Sequence, residues 1–184
     1  LGAGNGHKVY FNSVNLYGVK PGTPATTLLS AAFGIVANTQ TGIDVRNNIF
    51  ANNVSGGTTG LARVSVFLPS GATSAMNLTF NNNAYYFGSD AAAQGIAQIG
   101  ITVGTGFITS LPALVAYTST LSAAGTNDNA SIAAMTAVPF LSDSDLHVGV
   151  GSAVVNVGTP IAGVSTDIDG DPRIAPAPEM GADE

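Results

Sequence analysis

The chain has no cysteine and no tryptophan, and charged residues make up only 9% of its 184 positions, against about 25% in an average globular protein. Without cysteine there can be no disulfide and no thiolate metal site, and the compartment is left open. Long apolar runs are also missing. Mean hydropathy is +0.32, yet Gly, Asn, Ser and Thr interrupt every apolar stretch before the roughly 18 residues a spanning helix needs. No membrane span is expected. Residues 1–6 contain neither an initiator Met nor a basic segment leading into an apolar one. The expectation is a mature or excised piece of a longer protein. Basic residues are scarce where acids are dense. Residues 1–127 carry Asp44 and Asp90 against Lys8, Lys20, Arg46 and Arg63, whereas residues 128–184 carry nine acids and Arg173. The two parts sum to +2 and −8, the net −6. An acidic C-terminal part argues against nucleic-acid binding, which needs a basic stripe.

What the chain does have is repetition. Tyr10-Phe-Asn12-Ser-Val14-Asn-Leu16, Val45-Arg-Asn47-Asn-Ile49-Phe-Ala51 and Phe80-Asn-Asn82-Asn-Ala84-Tyr-Tyr86 place Asn12, Asn47 and Asn82 at steps of 35 residues (47 − 12 and 82 − 47). A fixed period of this size marks stacked units, each too small to bury its own apolar face. A second apolar segment recurs in phase: Leu29, Ala31 and Phe33, then Val64, Val66 and Leu68, then Ile99, Ile101 and Val103. Both segments alternate with period two, as strands with one buried face do. Turn-forming clusters at residues 21–24, 55–60 and 69–71 separate them.

These features predict an all-β fold, a right-handed parallel β-helix of three to four coils. Residues 1–109 form the coils, and residues 110–184 supply a short helix, the last strands and an irregular C-terminal cap of the same domain. Tyr10 would lie over Val45 and Phe80, and Asn12, Asn47 and Asn82 would form a ladder of stacked amides. The helix is expected from Ser110 as N-cap to Gly125 as stop, with Leu111, Leu114, Val115 and Leu121 near one face. The N-terminal edge of such a stack would be open, so preceding coils of the same protein or another chain are expected to cover it.

The tail carries more specific motifs. Ala137-Val-Pro-Phe140, Asp145-Leu-His147, Gly151-Ser-Ala-Val-Val-Asn-Val-Gly-Thr159, Thr166-Asp-Ile-Asp-Gly-Asp-Pro-Arg173 and Glu179-Met-Gly-Ala-Asp-Glu184 follow one another. Together with the Asn-rich repeats, this succession resembles the C-terminal region of bacterial right-handed β-helix repeat, or choice-of-anchor, surface proteins, which are widespread in Bacteroidetes. The resemblance spans essentially the whole chain. Met180 stands where Ile is usual, and Ala153-Val-Val155 replaces a Pro-containing run. It implies a secreted or cell-surface bacterial protein, repetitive and often adhesive or glycan-associated, with some relatives among polysaccharide lyases.

Chemistry is sparse by comparison. Asp167, Asp169 and Asp171 alternate around Gly170 and form a candidate Ca2+ loop, although Gly170 and Pro172 do not sit where a helix–loop–helix calcium site needs them. The competing reading has these carboxylates accepting backbone N–H groups while Arg173 pairs with Asp183 or Glu184. Tyr85 and Tyr86, with Tyr17 and Phe87, form a candidate platform for sugar rings, or half of them point inward by alternation. His7 and His147 are isolated in sequence and read as surface or loop residues. The repeats offer Lys8, Arg46 and Arg63 but only Asp44 and Asp90 as acids, too few for the acidic cluster of a lyase and with no obvious second carboxylate for Asp44 to make a glycosidase pair. The leading expectation is a non-catalytic extracellular or cell-surface protein, the terminal part of an adhesin or stalk. The alternatives are the C-terminal part of a polysaccharide lyase or glycosidase whose active coils lie upstream, or a carbohydrate-binding module.

Overall fold

The computed structural model describes residues 1–20, 29–56, 62–90, 93–102, 104–133 and 138–183. The turn cluster at residues 21–24, most of that at 55–60, and Val103, Ala137 and Glu184 lie outside the described residues. The chain runs through β1 (Lys8–Tyr10), β2 (Ser13–Leu16), β3 (Val19–Lys20) and β4 (Ser30–Gly34). It then lays β5 (Asp44–Arg46), β6 (Ile49–Asn52), β7 (Ser55–Gly56) and β8 (Arg63–Leu68) beside them. β9 (Thr79–Asn81), β10 (Ala84–Phe87), β11 (Gln94–Ile99) and β12 (Phe107–Ile108) follow. A nine-residue helix α1 (Leu111–Ser119) and a short strand β13 (Ile132–Ala133) complete the regular structure.

The strands form four sheets, with orders β1-β5-β9, β2-β6-β10-β13, β4-β8-β11-β12 and β3-β7. All pairings are parallel except that of β12, which closes its sheet antiparallel to β11. Inner faces follow from alternation. In β5, Val45 is buried while Asp44 and Arg46 are partly exposed. Val45 and Phe80, Phe50 and Tyr85, and Val66, Leu68 and Ile96 meet in one core that Leu114 and Leu121 also enter. Phe33, Phe50 and Tyr85 form a column through it, with ring centroids 5.1 Å and 6.3 Å apart.

The expected right-handed parallel β-helix of three to four coils is corrected here. The chain is mostly β, with four mostly parallel sheets and one helix, and among the described residues neither a closed barrel nor a solenoid is defined. The single 35-residue period does not hold from sheet to sheet. Lys8 pairs with Asp44 at an offset of 36 (44 − 8), and Asp44 with Thr79 at 35 (79 − 44). Ala31 pairs with Val64 at 33 (64 − 31), and Val66 with Ala97 at 31 (97 − 66). Register is set by which residues must face the core, and the connecting segments absorb the differences. Val9 therefore lies beside Val45 and Phe80, and Tyr10 beside Arg46 and Asn81. Ile101, expected inside, is 85% exposed.

The irregular tail is also placed differently from the expected end cap. It lies along the outer face of the β2-β6-β10-β13 sheet. Ile49, Ala51 and Ala84 point away from the main core, and Phe140, Val154 and Met180 bury them in a second cluster. That is why every residue of β6 is buried: both faces of this strand are covered.

Candidate functional site

Two columns of residues, most of them asparagine, run across the strands where the first sheet bends into the second. One sits at the bend itself, where Phe11, Asn47 and Asn82 have φ of 53°, 60° and 50°. Asparagine takes this left-handed conformation with little penalty, which explains Asn47 and Asn82; a bulky residue such as Phe11 is strained there. The next residue along forms the amide ladder. Asn12 donates through both its backbone N and Nδ2 to Asn48 Oδ1, at 3.0 and 2.9 Å. Asn48 repeats the pattern toward Asn83 Oδ1, at 3.1 and 2.9 Å. Asn83 N then donates to Ser131 Oγ at 3.0 Å. Asn48 Nδ2 and Asn83 Nδ2 also satisfy the carbonyls of Val9 and Val45.

Of the three asparagines expected to stack, only Asn12 is in this ladder. Asn47 and Asn82 are one residue early and hold the tail instead. Asn47 Nδ2 donates to the Thr159 carbonyl at 2.7 Å, and the Thr159 N–H returns a bond to Asn47 Oδ1 at 2.9 Å. Asn82 Nδ2 donates to the Val157 carbonyl at 3.0 Å. Further up, the Gly181 N–H meets the Asn47 carbonyl, and the Ala182 N–H meets Ser13 Oγ. Arg173 lies over the Phe11 ring, 3.9 Å from its centroid, and donates to the Gly181 carbonyl. The Asn-Asn doublets in the sequence carried the signal for both columns, since one residue of each doublet was free to do the second task.

The aromatic platform is corrected. Tyr85 is fully buried, and its hydroxyl donates to Asp128 Oδ1 at 2.6 Å. It cannot stack on a sugar ring. Tyr86 faces the opposite way and packs against the tail cluster, whereas Tyr17 is half-exposed. Asp128 is a buried carboxylate that sequence reasoning did not single out. Its oxygens accept from Tyr85, from Ser131 Oγ at 2.7 Å and from Thr118 Oγ1 at 2.9 Å. Burial raises its pKa, and the hydroxyl donors counteract this. Burial and the adjacent carboxylate push the Tyr85 phenol well above its ordinary value.

On the outer side of the first sheet, Asp44 accepts from Arg46 Nε and Nη2 at 2.7 and 2.6 Å and from the Tyr10 hydroxyl at 2.6 Å. The Arg46 guanidinium also sits 5.3 Å from the Tyr10 ring centroid. This fork-like pairing leaves Asp44 committed to its neighbours.

In the acidic loop, Asp167 Oδ1 accepts the backbone N–H groups of Asp169 and Asp171 at 3.0 and 2.8 Å. Asp169 turns toward His147. The imidazole is held between Asp145, with Nδ1 2.5 Å from Oδ1, and Asp169, with Nε2 3.1 Å from Oδ2. Asp183 is close by, fixed by the Val148 N–H donating to its Oδ2 at 3.0 Å. The Asp145 hydrogen bond, followed by Asp169 and the Asp183 charge, pushes the His147 pKa up to about 9. His147 and Asp183 line an open cavity of about 200 Å³ whose other walls are Ser13, Leu146, Ile168 and Ala182. The Asp145-Leu-His147 spacing was visible in the sequence; its meeting with Asp169 and Asp183, from distant tail segments, was not. No family, no curated protein and no solved structure matches this chain.

Proposed function

We propose that this chain is a non-catalytic extracellular or cell-surface protein, the terminal part of a structural stalk or adhesin. One observation carries the reading. In all four sheets the first strand, β1, β2, β4 or β3, is an edge. These strands belong to one pass of the chain and each ends its sheet, a surface suited to further strands. The side chains there are in keeping with this. Val9, Val14 and Phe33 are only partly buried against the core, and Tyr17 and Val19 are 51% and 77% exposed. Among the described residues no donor reaches Asn12 Oδ1, whereas Asn48 Oδ1 and Asn83 Oδ1 each receive two. Strands of a longer protein, or another chain, would supply them. The extracellular placement rests on the resemblance of the tail motifs.

The commitment of Asp44 to Arg46 and Tyr10 supports the non-catalytic part of the reading. Assays for new reducing ends and for unsaturated uronate products on a panel of polysaccharides test it. No turnover is expected. Turnover that disappears in Asp44→Asn or Arg46→Gln would overturn the reading in favour of a lyase or glycosidase.

A further inference from the structure

We propose that His147, Asp169 and Asp183 form a binding site for one divalent transition-metal ion of the Zn2+ type. The three side chains each offer one ligand atom, and these atoms lie within 4.8 Å of one another. They come from separate parts of the tail, so an ion held by them would cross-link those parts over the outer face of β2.

Several features beyond proximity favour an ion here. With Asp145 on Nδ1, the ring is oriented so that Nε2 points at Asp169; a carboxylate on the far nitrogen is the usual support for a metal-binding histidine. Asp183 is fixed by the Val148 N–H. The Asp169 loop is fixed by Asp167, which accepts the N–H groups of residues 169 and 171. Two of the donors, His147 and Asp183, border the cavity beside Ser13 and Ala182, which leaves room for the water that completes a three-ligand zinc site. Three carboxylates, those of Asp145, Asp169 and Asp183, surround the single imidazole ring. A dication that takes the place of the Nε2 proton lowers the negative charge of the group by one.

One nitrogen and two carboxylates suit Zn2+ better than Ca2+, which takes six to eight oxygens. Tetrahedral ligands at zinc distances lie about 3.4 Å apart. The carboxylate of Asp169, 55% exposed, is free to close in. Binding would release the Nε2 proton to solvent and leave the Nδ1 proton with Asp145.

The test is titration of the protein with Zn2+, followed by calorimetry and by the imidazole resonances of its two histidines, with Ca2+ as comparison. Expected are one equivalent of Zn2+ bound, a shift of the His147 ring signals with His7 unchanged, and loss of binding in His147→Ala and His147→Gln. Asp145→Asn should weaken binding about 10–100-fold through the lost support. Far-UV circular dichroism checks that each variant folds, and the Gln variant preserves side-chain volume. The proposal is overturned if a large excess of Zn2+ leaves the His147 signals in place, if both His147 variants bind Zn2+ as the parent does, or if Ca2+ binds equally well and independently of His147.

Discussion

At the scale of the residue, the asparagine ladder is the feature on which local stability turns. Asn48 occupies its middle, fully buried, with Asn12 above and Asn83 below. Asn48→Ala removes the acceptor for two Asn12 groups and the donor to the Val9 and Arg46 carbonyls. Leaving a buried polar group without a partner costs about 1–3 kcal/mol, so urea unfolding should show a loss at or above that range. Asn12→Ala at the exposed end should cost less, because water replaces its bonds. Asp128 gives a pH-dependent counterpart. Its folded-state pKa is raised, so the folded protein holds this proton more tightly than the unfolded chain does. Its contribution to stability is therefore greatest below the unfolded value and falls as pH rises through the folded one. Replacing it as Asp128→Asn should flatten that part of the stability–pH profile measured by thermal unfolding. The sequence reading found the right residue type and missed by one position. The doublets Asn47-Asn48 and Asn82-Asn83 look alike in sequence, and only the offset of 36 between β1 and β5 selects the second member.

At the scale of the element, alternation made the buried faces of β5, β9 and much of β8 readable, because a period of two needs no tertiary context. Helix α1 was readable at its start, with Ser110 at its N-cap and Leu114 inward, but it ends at Ser119 rather than running to Gly125, and Leu121 is buried beyond its end. The tail was not. It has no periodicity, and its docking depends on three isolated side chains, Phe140, Val154 and Met180, meeting an outer sheet face. Nothing in the sequence around Ile49, Ala51 and Ala84 marked them as the surface this tail would cover. Two predictions belong here. Met180→Ala should destabilise the protein by about 2–5 kcal/mol, and Phe50→Ala in the aromatic column by about 3–5 kcal/mol, both measured by denaturant unfolding. Hydrogen exchange should separate them: Met180→Ala should speed exchange in residues 138–183 first, whereas Phe50→Ala should lower protection in β6 and β10.

At the scale of the whole molecule, the sheets share one organisation. Successive passes of the chain lie in parallel register, β13 and β12 pair with the last strands β10 and β11, and the first pass presents β1 to β4 as edges. The repeated motifs announced the parallel pairing. They did not announce that the offset differs between sheets, because connection lengths are free to vary while inward-facing residues are not. The absence of native cysteine permits a direct test of the register. Partners on adjacent parallel strands have Cα atoms about 4.8 Å apart, inside the range of about 4.4–6.8 Å that a disulfide spans. Lys8 pairs with Asp44 here, whereas a uniform 35-residue step would set it beside Ile43. Under mild oxidation, Lys8→Cys combined with Asp44→Cys should cross-link within one chain, and Lys8→Cys combined with Ile43→Cys should not. Cross-linking of the second pair in place of the first would contradict the account.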